Sequence, residues 1–320
     1  YEVHRTYALQ QEDNIKVGIL TEHRARNYGS CLQAIALKHA VEAQGYRTQI
    51  VDYRPGFIED SFGIFIKDLY RDSKNRFKAL LSFLVKTVLR LPFSVAREIN
   101  FYCFRERYMG LTFDAFINGE EDRIKNLKHK CYFLGSDQIW NPNITKGLCR
   151  FYFGDGLNKG AVKASYAASI GIQSLEGWEA DFKEALKTVD FISVREQEAA
   201  ELIRPITDKE VNIVLDPTLI VEHDFWYHFT EENKEKKPYI FVYALELNDE
   251  LVSKAAELST VKKIPIVYFD LKNRYGIKAI SKYSAGPREF LSLLRNADYV
   301  ITNSFHGTVF SVIFKKQFVC

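Results

Sequence analysis

Four short stretches concentrate side chains able to bind anions, move protons or meet sugar hydroxyls. The first, Asn27-Tyr28-Gly29-Ser30, opens a segment with helical apolar spacing. A helix start presents unpaired N–H groups and positive potential, which suit an anion or a sugar hydroxyl; equally, Gly29 and Ser30 make a turn and a cap. Neither GxGxxG nor GxxxxGK[ST] is present, which argues against dinucleotide and P-loop sites. The second, Gly135-Ser136-Asp137-Gln138-Ile139-Trp140-Asn141, follows an apolar run. Asp137 there suits a general base towards a hydroxyl, with Ser136, Gln138 and Asn141 as hydrogen-bonding neighbours. The plainer reading makes Asp137 a turn cap and Trp140 core. The third, Ser193-Val194-Arg195-Glu196, places an arginine between a strand and a helix, where it suits a phosphate, a carboxylate or a bridge to Glu196 or Glu198. The fourth runs Thr302-Asn303-Ser304-Phe305-His306-Gly307-Thr308. A histidine near a helix start at about Gly307 suits anion binding, and the local potential favours neutral imidazole, fit for acid–base work.

These loops need a frame, and the pattern supplies one. KVGILT (16–21) reads as a buried strand, 31–44 as a helix with Ser30 as cap and Gly45 as stop, and RTQIVDY (47–53) as a second strand. That is a βαβ unit, which implies parallel pairing. Further strands are expected at 131–135, 164–171, 190–194 and 211–216, with a helix after 194. The charge run EENKEKK (231–237) reads as a linker. After it the alternation restarts, with strands at 239–245, 265–270, 299–302 and 317–320 and helices between them. The expected class is α/β, with two Rossmann-like doubly wound parallel-sheet domains over 15–230 and 238–320. The second is expected to be incomplete, because its series stops at QFVC.

The size agrees: 320 residues at about 150 per domain suggest two domains. A hydrophobic share of 47% sustains cores and rules out general disorder. Forty-four Lys and Arg against 41 Asp and Glu leave a net charge of +3, too even for nucleic acid to be an expected partner. Five cysteines without CxxC spacing read as reduced thiols of a cytoplasmic protein, with no metal site expected. The chain starts without an apolar signal core, and no run is apolar enough for a membrane span. Residues 57–110 read as a basic helical insertion in the first domain. Between 65 and 107, ten Lys and Arg stand against four Asp and Glu. That is a solvated face, or a contact for anionic lipid at the inner face of the membrane.

Together the stretches GILTEHRARNYGSCLQAIAL, FLGSDQIWNP, ISVRE with VLDPTLI, and ADYVITNSFHGTVFSVIF resemble the polysaccharide pyruvyl transferase family over about 16–320. The resemblance implies a GT-B-like pair of domains. It also implies transfer of pyruvate from phosphoenolpyruvate to two hydroxyls of one sugar, giving a cyclic ketal in cell-surface or capsular polysaccharide synthesis. Arg195 would hold the donor anion, His306 would bind phosphate or give a proton, and Asp137 would be the site carboxylate; domain closure would assemble them. Asn27, Tyr28, Gly29, Ser136, Gln138, Asn141, Asn303, Ser304, Gly307 and Thr308 are the expected substrate-binding residues. Phosphoenolpyruvate and a glycan acceptor, lipid-linked or free, are the expected partners, with no further cofactor. Glu22 and Arg26 depart from the family, which often has an apolar residue and Asn there. Two other readings stand beside it: a GT-B-like glycosyltransferase using a nucleotide sugar, and a non-catalytic relative that binds phosphoenolpyruvate or glycan.

Overall fold

The computed structural model describes residues 16–56, 76–113, 115–117, 127, 129–232, 237–270 and 273–320, with side chains described throughout these except at 76–89 and 117. The start of the chain, residues 57–75 of the expected insertion and most of the charge run lie outside the described residues. Two compact units divide the chain. One comprises the described parts of Tyr1–Phe62 and Arg105–Val221, the other those of Gly63–Phe104 and Glu222–Cys320.

In the first unit, β1 (Lys16–Leu20), α1 (Tyr28–Ala43) and β2 (Arg47–Ile50) form the βαβ unit, with β1 and β2 parallel. Helix α1 starts three residues earlier than its spacing suggests. Asn27 is extended, and its side-chain oxygen accepts from the N–H of Gly29 (2.9 Å) and Ser30 (3.4 Å), which makes it the cap. The expected strand 47–53 divides into β2 and β3 (Tyr53–Arg54); β3 pairs with β4 (Phe116–Ile117) in a separate ribbon. Helix α2 (Arg76–Tyr108) precedes β4, and β5 (Cys131–Leu134) and β6 (Val162–Ser165) follow it. The sheet order is β2-β1-β5-β6, with every pairing parallel. The strand expected through Gly171 stops at Ser165, because Ala167 takes a positive φ of 50°. After α3 (Glu179–Leu186) come β7 (Ile192–Val194), α4 (Gln197–Ile203), β8 (Val211–Ile213) and α5 (Pro217–Ile220). Parallel β7 and β8 join the sheet through bridges of Phe191 to Ala164 and Val194 to Ala168.

Strands buried on both faces read as apolar runs, and helices cover them. The first core centres on Trp140, whose ring stacks on Phe153 at 4.6 Å while its Nε1 donates to the Tyr152 carbonyl at 3.1 Å. Phe182 of α3 closes the stack edge-on. The burial of Trp140 is therefore a packing role.

The second unit runs α6 (His223–Tyr227), β9 (Ile240–Tyr243), α7 (Asp249–Lys262), β10 (Ile266–Tyr268), β11 (Ala279–Ser281), α8 (Pro287–Asn296), β12 (Tyr299–Thr302), α9 (Phe305–Ile313) and β13 (Gln317–Val319). Its sheet order is β11-β10-β9-β12-β13, all parallel. Strand β11 has no clear sequence signal. Helix α2 contributes its residues through Phe104 to this unit. Phe104 meets Phe229 at 6.1 Å, Arg97 lies over the Tyr283 ring, and Asn100 donates to the Ser284 carbonyl at 2.8 Å. Among the described residues no helix is long and apolar enough to cross a membrane.

Phe290 of α8 is fully buried between Tyr243 (4.8 Å), Phe241 (6.0 Å) and Phe310 (6.1 Å). Phe290→Ala is expected to destabilise by about 3–5 kcal/mol, and Phe290→Leu by less, as measured by chemical denaturation.

Candidate functional site

Parallel strands deliver their carboxyl ends to one edge, where open α/β sheets take their ligands. In the first unit that edge carries Thr21 and Glu22 after β1, Gly135 to Gln138 after β5, Arg195 after β7 and Asp216 after β8. Gln33 of α1 ties the first two loops. Its Nε2 donates to Thr21 Oγ1 (2.8 Å) and the Ser30 carbonyl (3.0 Å), while its Oε1 accepts from the Ser136 N–H (3.1 Å). Thr21 Oγ1 in turn donates to the Ser136 carbonyl at 3.1 Å. Gly135 has φ of 122°, and a Cβ there would collide with the Tyr166 carbonyl, so the turn needs glycine. Asp137 follows at φ of 73°, its Oδ1 accepting the N–H of Gln138 at 3.0 Å.

Three expected site residues, Ser136, Asp137 and Arg195, come together around Asp216. The buried Asp216 carboxylate accepts from Arg195 Nη1 (2.9 Å), Ser136 Oγ (3.0 Å), the Thr218 N–H (3.0 Å) and Thr218 Oγ1 (2.6 Å). Arg195 Nε donates to Glu196 Oε1 at 2.9 Å, and Asp137 Oδ1 lies 4.0 Å from Nη1. Burial works against the guanidinium charge, but Asp137, Asp216 and Glu196 outweigh it and hold Arg195 above its ordinary range.

The other expected residues are engaged locally. Asn27 caps α1, with Tyr28 and Gly29 buried in its first turn. Asn141 donates to Gln138 Oε1 at 3.1 Å and accepts the Asn143 N–H at 3.0 Å. The late loop belongs to the second unit. Ser304 caps α9 through the Gly307 N–H, and the helix starts at Phe305, so His306 lies buried in its first turn. A Cβ on Gly307 would strike Thr302, so glycine lets α9 approach β12. Asn303 accepts from the Leu245 N–H (2.9 Å) and donates to the Glu246 carbonyl (2.7 Å), and Thr308 Oγ1 donates to the Ser304 carbonyl (3.2 Å).

Sequence reasoning passed over three residues as site groups. Asp216 sits in the VLDP stretch, where an Asp before Pro reads as a helix cap, and it is that as well. Gln33 carried no signal beyond its helical position. Glu22 stood out only as a departure. It is 9% exposed, and burial, reinforced by the charge of Asp137, raises its carboxyl to about 8. One residue on, the environment reverses. Burial alone would raise the Asp52 carboxyl, but hydrogen bonds from His23 (3.0 Å), Arg54 (2.7 Å) and Arg24 (2.7 Å) hold it well below the carboxylate range. Among the described residues no three His, Cys, Asp or Glu side chains gather to hold a metal ion.

Removing Asp216 leaves Arg195 buried among fewer partners; Asp216→Ala is expected to cost about 3–5 kcal/mol in denaturation. Glu22 binds its proton more tightly folded than unfolded. Its stabilising contribution is complete below about 4.5 and is lost as pH rises through about 8. Glu22→Gln should therefore raise the thermal midpoint relative to the parent at pH 9 and leave it nearly unchanged at pH 4.

Comparison with known proteins places this geometry. No curated protein matches the chain. Among solved structures, a Listeria monocytogenes protein assigned as a UDP-N-acetylglucosamine 2-epimerase superposes with a TM-score of 0.51 at 13% identity, covering 92% of this chain and 75% of the other. A Rickettsia bellii UDP-N-acetylglucosamine 2-epimerase gives 0.49 at 11%, covering 95% and 78%. An E. coli heptosyltransferase gives 0.39 at 13%, covering 95% and 87%. The likeness to the Listeria protein is one of fold, and the parallel sheets of the two units are Rossmann-like, of the GT-B-like class. The polysaccharide pyruvyl transferase family model matches residues 27–320, which include Ser136, Asp137, Arg195, Asp216 and His306. With nearly the whole chain matched, this protein belongs to the polysaccharide pyruvyl transferase family.

Proposed function

We propose that this protein transfers pyruvate from phosphoenolpyruvate to two hydroxyls of a glycan sugar as a cyclic ketal, in the synthesis of a surface polysaccharide. The observation that carries this reading is convergence: Ser136 after β5, Arg195 after β7 and Asp216 after β8 meet at one buried carboxylate, inside the stretch the family spans. Such a transfer needs a cation for the donor, a proton for its methylene carbon and a base for the acceptor hydroxyls.

Arg195 supplies the charge. A donor carboxylate reaches it by replacing Glu196, whose side chain is 33% exposed, while Asp216 keeps the guanidinium in place. Asp137 orients an acceptor hydroxyl and takes its proton. His306, at the start of α9, binds the phosphate or gives the proton, with the positive end of the helix favouring an anion. The reaction proceeds without a further cofactor, and the acceptor is a free or lipid-linked glycan. The basic segment of 65–107 would draw the protein to the inner face of the membrane if the acceptor is lipid-linked.

A second reading, transfer from a nucleotide sugar, draws on the fold shared with the Listeria protein. Protection from thermal unfolding by UDP but not by phosphoenolpyruvate would favour it.

Incubation with phosphoenolpyruvate and a nitrophenyl galactoside or lipid-linked acceptor should release phosphate and add the ketal mass to the acceptor. Arg195→Lys and His306→Ala should each lose about 2–4 kcal/mol of transition-state stabilisation, roughly 30- to 900-fold in kcat/KM. Full activity in both variants would sink the assignment.

A further inference from the structure

Glu22 stands two residues beyond β1, and Asp137 three residues beyond β5. The two strands pair in parallel with Leu20 opposite Leu134, and the Gly135 N–H donates to the Leu20 carbonyl at 3.0 Å. Both carboxyls therefore rise from one rigid edge. The backbone of Glu22 is pinned, its carbonyl accepting from Ser30 Oγ at 2.5 Å and Gln33 Nε2 at 3.4 Å. Among the described residues no hydrogen bond or ion pair reaches its carboxyl. Nearby cations are committed elsewhere: His23, Arg24 and Arg54 to Asp52, and Arg195 to Asp216 and Glu196.

A second observation marks the same place. Tyr152 is 1% exposed, its Oη finds no hydrogen-bond partner among the described residues, and it lies within electrostatic reach of Glu22 and Asp137, with Tyr53 and Cys149 beside it. A buried phenol with an unmet hydrogen bond beside two carboxyls suits a hydroxylated ligand.

We propose that Glu22 is the proton donor of pyruvyl transfer, with Asp137 as the base for the acceptor hydroxyl. This rests on the reading of the protein as a phosphoenolpyruvate-dependent transferase. Burial without a cation, beside a second carboxyl, keeps Glu22 protonated at neutral pH. The donor's double-bond pair takes that proton, forming a C–H bond at the methylene carbon and leaving the neighbouring carbon electron-poor. The first hydroxyl oxygen bonds to that carbon, and its proton passes to Asp137. The carbon–oxygen bond to phosphate then breaks with its pair on the phosphate, which takes the proton from Asp137. The second hydroxyl closes the ring and returns its proton to Glu22. Nothing is oxidised or reduced, and the products are ketal and inorganic phosphate. His306 is left to bind the phosphate.

Two measurements test this on the full chain. With glutamate carboxyls labelled by ¹³C, the resonance that disappears in Glu22→Gln should titrate near 8 and move to lower pH in Asp137→Asn. In steady-state assays, Glu22→Gln, a neutral near-isostere that keeps the fold, should lower kcat by about 10²-fold or more with little change in KM for phosphoenolpyruvate. The fall of kcat above pH 8 should vanish with it, and Glu22→Asp should restore part of the rate. Titration of Glu22 in the ordinary carboxylate range, or unchanged kcat and alkaline limb in Glu22→Gln, would overturn the proposal while leaving the transferase reading intact. If the parent protein transfers no pyruvate at all, the transferase reading falls and the donor role with it, whatever the resonance shows.

Discussion

The buried ion pair between Arg195 and Asp216 is the junction on which the first unit's loops depend. Two charges withdrawn from water persist only when extra hydrogen bonds offset the lost hydration. Among the described residues, donors from three chain segments reach Asp216: Ser136 after β5, Arg195 after β7, and Thr218 in the first turn of α5. The carboxylate thus holds in register three loops that would otherwise be set only by the ends of short strands. The same pair limits Arg195. Asp137, Glu196 and Asp216 surround its guanidinium, and Glu196 is the most exposed of the three.

A second constraint acts at the end of β1. Gln33, buried in α1, uses donor and acceptor at once to fasten Thr21, Ser30 and Ser136. Beyond it the chain sorts its charges. Asp52 draws in His23, Arg24 and Arg54, and among the described residues no cation pairs with the Glu22 carboxyl. Adjacent residues, Glu22 and His23, thus enter opposite electrostatic worlds: burial beside Asp137 raises one carboxyl, and hydrogen bonds hold the carboxyl His23 joins well below its ordinary range. A low-dielectric interior amplifies that difference, because each uncompensated charge is penalised far more than in water.

The second unit shows the same economy of backbone and side chain. Gly307 lets α9 start hard against Thr302, and Asn303 uses both ends of its amide to hold the loop after β9. His306 is carried into the first turn of α9 by the Ser304 cap. The register of the loop, more than any property of the histidine itself, decides where the imidazole stands.

Much of this was legible in the order of residues. Apolar runs and helical spacing marked the parallel α/β class and most strands, because those periods follow from local backbone geometry. The stretches around Asp137, Arg195 and His306 announced themselves by polar residues at strand ends, and they lie within the family's span. The helix caps were less legible: Asn27 displaces Ser30, since both can cap and only the path of the preceding loop chooses. The strand through Gly171 was over-read because nothing local reveals the positive φ at Ala167. Sequence alone determined the class of fold, the family and the identity of the strand-end side chains. Tertiary structure decided which of them touch. It bound Arg195 to Asp216, gave Gln33 its bridging place and left Glu22 buried beside Asp137. Those outcomes depend on the distances and dielectric between residues far apart in the chain, and neither quantity is written in local sequence.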